Sequence, residues 1–302
     1  MWTLTKRNLL YTVRDRTAFA LSFLSVAILI LVYKAFLGNF QSEALQDAAH
    51  LNTLSTAGNN LVNFWLVAGL IIVTSVTSSL YGLNVVVDDR VSGKMADFRI
   101  AGASARKIFT SYYLAALILG FAVTVFSAVV GIAIFVSPSA LTNLSGTAWL
   151  KLLAYILLGN VLAILISMPI ILFLKSRSGF SSLSALVSTL IGFVGGIYIT
   201  VGQVSQPIQR VLLTTPFVHL NALIKNVLMT QAETDFFSQF PEGIGAKAQR
   251  SYDRIYGNQL YFPGTEHIIT ATQSLQWIGV WILVLALVNY LIFKIITKDH
   301  AQ

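Results

Sequence analysis

The chain has 302 residues, of which 56% are hydrophobic and only 11% charged, with a net charge of +8 and no cysteine. Soluble domains average about 25% charged residues, so this composition excludes a water-covered globule and points to an integral membrane protein. The absence of cysteine excludes a disulfide framework or a cysteine-based metal site, and His50, His219, His267 and His300 form no zinc-binding spacing.

The first segment, 1–16, reads as an interfacial amphipathic helix on the lipid bilayer. Trp2, Leu9, Leu10 and Val13 share one side, while Lys6, Arg7 and Arg14 lie elsewhere. Residues 17–302 then read as an all-α transmembrane domain with six spans. A charged side chain at the bilayer centre costs roughly 2.5–3.5 kcal/mol, so long uncharged apolar stretches mark crossing helices. They fall at 17–37, 61–87, 108–136, 149–174, 179–202 and 277–296. None alternates as a barrel strand would. The first run is as long as a full span and no small-residue cleavage site follows it, so it reads as a retained anchor.

Lys and Arg placement sets the expected orientation. Lys6, Arg7, Arg14 and Arg16 precede the first span. Arg90, Lys94, Arg99, Arg106 and Lys107 follow the second, Lys175 and Arg177 the fourth, and Lys294 and Lys298 the last. The short loops 38–60 and 137–148 carry none. The basic side is expected to be cytoplasmic, with both termini inside. This bias accounts for the positive charge without any nucleic acid.

The loop 88–107 concentrates charge. In it Val91, Met95 and Phe98 recur at helical spacing, Ser92 or Asp89 is a candidate cap with Asp88 and Asp89 near the helix start, Gly102 is a stop and Ser104 a cap for the next helix. Its Met95/Phe98 face either rests on lipid and neighbouring spans or docks in a groove of a cytosolic partner. The "SGK" at 92–94 is no phosphate loop: Asp88 stands where the first glycine belongs, and Met95 follows the lysine. Any ATP used would be bound by another chain.

Hydroxyls punctuate the second span at Thr74, Ser75, Thr77 and Ser78. The fifth carries Ser188, then Gly192 and Gly196 at GxxxG spacing. Such residues serve close helix packing or line a path. No Asp, Glu, Lys or Arg lies mid-span, which argues against an ion-coupled carrier. The segment 203–276 is the large extramembrane piece. Its part 216–229 has Phe217, Leu220, Ile224, Val227 and Leu228 at helical spacing and is expected to dip back into the bilayer; 231–267 is either an external lid or a loop of no specific role.

"DDRVSGKMADFRIAGAS" (88–104) resembles the E-R-E-x-G motif after the second span of ABC-2 type transporter permeases, membrane subunits of many bacterial ABC exporters. Asp89 stands at the Glu, Arg90 at the Arg and Ser92-Gly93 at the small-Gly pair; Val91 replaces a second Glu and Ala103 a frequent Pro. Arg14-Asp15-Arg16 is similar to the family's R-D-P, without its Pro, and "TTPFVHLNALIKNVL" (214–228) to its re-entrant segment. The resemblance implies a homodimer, or a pair with a related permease, in the bacterial cell membrane above two ABC ATPase subunits that bind ATP and Mg. It implies that Asp89, Arg90, Gly93, Met95, Phe98 and Arg99 form the coupling element, that Lys6, Arg7 and Arg14 lie on the N-terminal helix contacting the ATPase, and that Thr74, Ser75, Thr77, Ser78, Ser188, Gly192 and Gly196 lie at the path or dimer interface. Lys175 and Arg177 are expected to matter less. The cargo expected is drug-like, peptide or lipid. The rival classes are an ion-coupled secondary carrier, an intramembrane enzyme, for which no catalytic motif lies on a span, and a non-transporting assembly protein.

Overall fold

A computed structural model describes residues 1–16, 23, 26–28, 30–49, 51–142, 144–196, 198, 200–241 and 243–298. The described chain is helical apart from one two-stranded ribbon. In order come α1 (Trp2–Arg14), a π-helical turn (Tyr33–Leu37), α2 (Gly38–Ala49), α3 (Thr56–Val91), α4 (Lys94–Ile100), α5 (Ala105–Phe135), α6 (Pro138–Thr142), α7 (Gly146–Phe173) and α8 (Arg177–Val194). A short 3₁₀ turn (Val201–Gln203) leads to α9 (Gln206–Thr214), α10 (Pro216–Phe237), α11 (Ile244–Tyr256), β1 (Leu260–Tyr261), β2 (Ile268–Ile269) and α12 (Ala271–Lys298). Much of the first expected span, 17–37, lies outside the described residues.

The starts of the long helices are written in serine. Ser55, Ser104, Ser145 and Ser176 each accept a hydrogen bond from a backbone N–H three residues on, at the heads of α3, α5, α7 and α8. Each satisfies a donor the helix cannot pair internally. Five described helices are long and apolar enough to cross a bilayer: α3, α5, α7, α8 and α12. They match the second to sixth expected spans with one correction. The fifth run was expected over 179–202, but α8 stops at Val194. Gly195 closes it, Gly196 turns at φ +67°, and the Tyr198 N–H reaches back to the Gly192 carbonyl at 2.9 Å. The Tyr198 ring fills the space a side chain at Gly192 would need. Gly192 and Gly196 therefore serve a tight helix end, with Gly196 outside the helix.

α3 is the central pillar. It is almost wholly buried and packs on α5, α7, α8 and α10, whereas α8 and α12 show most of their surfaces outward. α9 and α10 meet at 88° where Thr215 precedes Pro216; the residue before a proline is pushed out of helical backbone. Trp277 and Trp281 both donate their indole N–H to the Thr214 carbonyl freed at this bend, at 3.1 and 2.8 Å. α10 then runs buried against α3, α7 and α12, so the segment 216–229 is a helix inside the apolar body. α11 and the β1–β2 ribbon form a small cap against the far part of α10.

Candidate functional site

The charged loop is organised by its two aspartates. Asp88 and Asp89 belong to the last turns of α3 rather than to the start of the short helix. That end of α3 carries the negative pole of its dipole, so two carboxylates there need cations from elsewhere. Asp89 is fully buried. It takes a forked pair of hydrogen bonds from the Arg7 guanidinium of α1, one of them Nη2 to Oδ1 at 2.7 Å, and a third bond from the Tyr112 hydroxyl of α5 at 2.8 Å. Asp88 accepts from Arg177 Nε at the first residue of α8 (2.5 Å), from Tyr11 Oη (3.2 Å) and from Asn84 Nδ2 (3.3 Å). Arg177 stands at the positive pole of α8, and Asp88 offsets that clash as well. Burial alone would lower the Arg7 pKa; the Asp89 carboxylate outweighs it and holds the guanidinium above its ordinary value. Burial, then the Asp88 carboxylate, pushes the Tyr11 hydroxyl up.

The short helix α4 rests on this clamp. Its N-terminus is Gly93 at φ +77°, with no side-chain cap; Ser92 instead bonds back to the Asp88 carbonyl at 2.7 Å, closing α3. Only glycine adopts this left-handed turn without cost, which is the role of the "SGK". α4 ends as expected at Gly102, φ +81°, with paired bonds from Gly102 N to Arg99 O and from Ala103 N to Phe98 O, both 2.9 Å. The Arg7 guanidinium lies 5.2 Å from the centre of the Phe98 ring and 5.2 Å from that of Tyr11, and Lys94 Nζ 5.5 Å from Tyr11.

These positions sort the coupling residues. Asp89 is internal, joining α1, α3 and α5. Met95, Phe98 and Arg99 are half-buried, with Met95 and Phe98 packed on the core; Arg90 and Gly93 are exposed. Val91 belongs to α3, so the expected Val91/Met95/Phe98 face is divided between two helices. The large apolar side chain that α4 leaves outward is Ile100, 85% exposed, which the spacing did not single out. On α1 the inward face is polar: Thr5, Asn8 and Thr12 are buried, and Asn8 Nδ2 donates to Ser111 Oγ at 3.1 Å. Lys6 and Arg14 are exposed beside an outward apolar set that includes Trp2, Leu10 and Val13. That reversal suits a helix lying in an interface.

The hydroxyls of α3 are internal. Thr74, Ser75 and Ser78 are buried, and Thr74, Ser75 and Thr77 return hydrogen bonds to carbonyls of α3 itself. Ser78 also approaches the Gly120 carbonyl and Thr124 Oγ1 of α5, at 3.2 and 3.3 Å. Next to it, Ser79 Oγ donates to Asn160 Oδ1 of α7 at 2.9 Å. Gly120 allows this approach, since any side chain there would meet Asn160 and Ser79. Thr74 and Ser75 are thus tied back within α3, Ser78 joins α3 to α5 and Ser79 joins it to α7. Ser188 is half-buried on α8. An apolar cavity of about 350 Å³ lies between α7, α8, α12 and the α9–α10 bend, with Ile166, Val187, Leu190, Phe217 and Trp281 among its walls.

Sequence reasoning also missed two buried ionisable groups on α10. The five long apolar helices match the expectation of uncharged interiors, but on α10 Lys225 and Glu233 are buried. Lys225 Nζ lies 5.1 Å from the Trp65 ring of α3 and donates to the Tyr256 carbonyl at 2.6 Å. Lys225 falls inside the re-entrant segment, where helical spacing singles out only the apolar positions, and Glu233 lies in the polar stretch beyond it.

A family model described as ABC-2 family transporter protein matches residues 12–293. Neither curated proteins nor solved structures gave a match. The matched stretch runs from the end of α1 into α12 and takes in Asp88, Asp89, α4 and the α9–α10 bend; the chain belongs to the ABC-2 family of transporter proteins.

Proposed function

We propose that this chain is the permease subunit of an ATP-driven exporter in a bacterial cell membrane, working with separate ABC ATPase subunits that bind ATP and Mg. The observation that carries the reading is the clamp: two aspartates at one end of α3 fasten α1, α5 and α8, and α4 rests on it through Phe98 against Arg7. The helix termini that bear Arg90, Lys94, Arg99, Arg106, Lys107 and Arg177 gather at that end. The end of α12 joins them, with Phe293 5.2 Å from Phe109 and Asn289 bonded to Tyr113. The Lys/Arg bias makes this the cytoplasmic end, with the α11 cap outside. A push on α4 from an ATPase would reach α1 through Arg7 and α3 through the Gly93 turn.

The outward faces of α8, where Leu186, Leu190 and Phe193 are exposed, suit contact with a second permease copy. The apolar cavity beside α8 suits an apolar or amphipathic cargo, such as a lipid, a drug-like molecule or a peptide. The test is co-expression with candidate ABC ATPase subunits from the same source. Co-purification of the two, and ATP turnover only in the complex, is the expected outcome. ATP hydrolysis by the isolated, contaminant-free chain would refute the reading.

A further inference from the structure

The cap built from α11 and the β1–β2 ribbon is fastened to α10 through a cluster of ionisable groups that the transport reading does not use. Glu233 of α10, Asp253 of α11 and Asn258 beyond it are all buried, as is Lys225 two turns earlier on α10. The Asn258 amide donates to Glu233 Oε1, and lies 3.5 Å from Asp253 Oδ1. Asp253 and Gln249 are within hydrogen-bonding reach of Glu233. Lys225 holds the last turn of α11 through the Tyr256 carbonyl, and the Tyr252 and Tyr256 rings, 4.5 Å apart, close the site. From α3 the neighbour is Trp65, which is uncharged. Tyr261, Arg250, Arg254 and Glu266 lie outside the cluster on α11 and the ribbon. The Asn258 side-chain oxygen is buried with no donor among the described residues.

Two carboxylates in one dry site repel, so both do not ionise together without large cost. With both charged, the cluster would hold two negative charges against the one ammonium of Lys225. With one proton retained, one carboxylate faces one ammonium, and the added O–H can donate from one carboxyl to the other, since Glu233 and Asp253 lie within hydrogen-bonding reach. We propose that Glu233 and Asp253 form a one-proton binding site, and that the bound proton fastens the α11 cap to α10. Burial pushes the Asp253 carboxyl up to about 6, in keeping with this arrangement. The sign follows: the pair gives up its first proton at about 6, at Asp253, and the proton it retains leaves above that, because the ionised partner opposes a second negative charge. A carboxyl whose pKa is raised on folding stabilises the closed cap fully below the ordinary carboxyl range of about 4, and the retained proton's share is lost as pH rises beyond about 6. The cap is therefore tight in acid and loosens toward alkaline pH. This holds whether or not the transport reading does.

The test uses the full chain in lipid nanodiscs. Ala248→Cys places a thiol on the partly buried side of α11, and Ser251→Cys one on its exposed side; the chain has no other cysteine. The ratio of maleimide labelling rates at the two sites cancels the pH dependence of the thiol itself. Between about pH 6 and about pH 9 this ratio is expected to rise, by up to about tenfold per pH unit once the retained proton leaves, the limit for loss of one proton. Glu233→Gln and, independently, Asp253→Asn leave a single carboxylate opposite Lys225, and each is expected to abolish the rise. A flat ratio in the parent would overturn the proposal without any variant. So would a rise of unchanged steepness in either variant, which would assign the proton to another group.

Discussion

Arg7 and Asp89 offer the sharpest perturbation because their exposures differ. Asp89 is fully buried, whereas the Arg7 side chain is 28% exposed. In Arg7→Met, Asp89 keeps only the Tyr112 hydroxyl and is left as a buried anion without a cation. Removing one member of a buried pair costs roughly 3–5 kcal/mol; discounted for the solvent access of Arg7, about 2–3 kcal/mol is expected. Loss of the guanidinium from the face of Phe98 adds about 0.5–1 kcal/mol. In Asp89→Asn the guanidinium can turn toward water, so the loss is smaller. Arg7→Met/Asp89→Leu removes both charges and should recover much of the stability, because apolar replacement of a buried pair is often neutral. The assay is hydrogen exchange of the α1 amides in the purified chain. A cost of about 2 kcal/mol corresponds to about thirtyfold faster exchange, at 1.4 kcal/mol per decade. Unchanged α1 exchange in Arg7→Met would refute the clamp, and a double variant as loose as the single would refute the burial argument behind it.

Three further outcomes are expected. Cysteines at Ser92 and Ser251, exposed at opposite ends of the fold, should differ in intact cells: an impermeant maleimide labels Ser251→Cys only, and labelling of Ser92→Cys would reverse the orientation. Asn160→Ala removes the amide that accepts from Ser79 and spans to Thr124. At about 0.6–1.7 kcal/mol per interhelical bond in a membrane, it should lower thermal stability by a few degrees, and no loss would mean that the network contributes nothing. Ile100→Asp should weaken ATPase co-purification more than Met95→Ala, because Ile100 is the outward side chain of α4 and Met95 packs inward; the opposite ranking would restore Met95 as the contact.

Much of the architecture was legible because the bilayer leaves little choice. Long uncharged runs must be helices, and Gly102 and Ser104 mark the stop of α4 and the start of α5 as read, whereas the caps Ser55, Ser145 and Ser176 and the Gly93 turn were not picked out. The N-terminal helix was legible as amphipathic, but its inward face proved polar, a choice made by partners such as Ser111 and Asp89 that lie about a hundred residues away. Asp88 and Asp89 were read as the start of α4 because local patterning cannot show that α3 runs on past the apolar stretch. Arg177 looked incidental for the same reason: its ion pair with Asp88 joins residues 89 positions apart. The hydroxyls of Thr74, Ser75 and Ser78 suggested a lining, and only packing shows them bonded within α3 and against α5. Lys225 and Glu233 escaped notice because a helix that re-enters the apolar body hides its charges behind a cap whose sequence is that of an ordinary polar loop.

Where the ATPase docks is the claim on which the account turns. A photo-crosslinking amino acid placed in turn at Ile100, at Lys6 and at Ser139, all exposed, tests it in a complex reconstituted with an ABC ATPase that co-purifies with the chain. The account predicts ATPase adducts at Ile100 and Lys6 and none at Ser139, in α6 beyond the far end of α5. Adducts at Ser139 with none at Ile100 would contradict it.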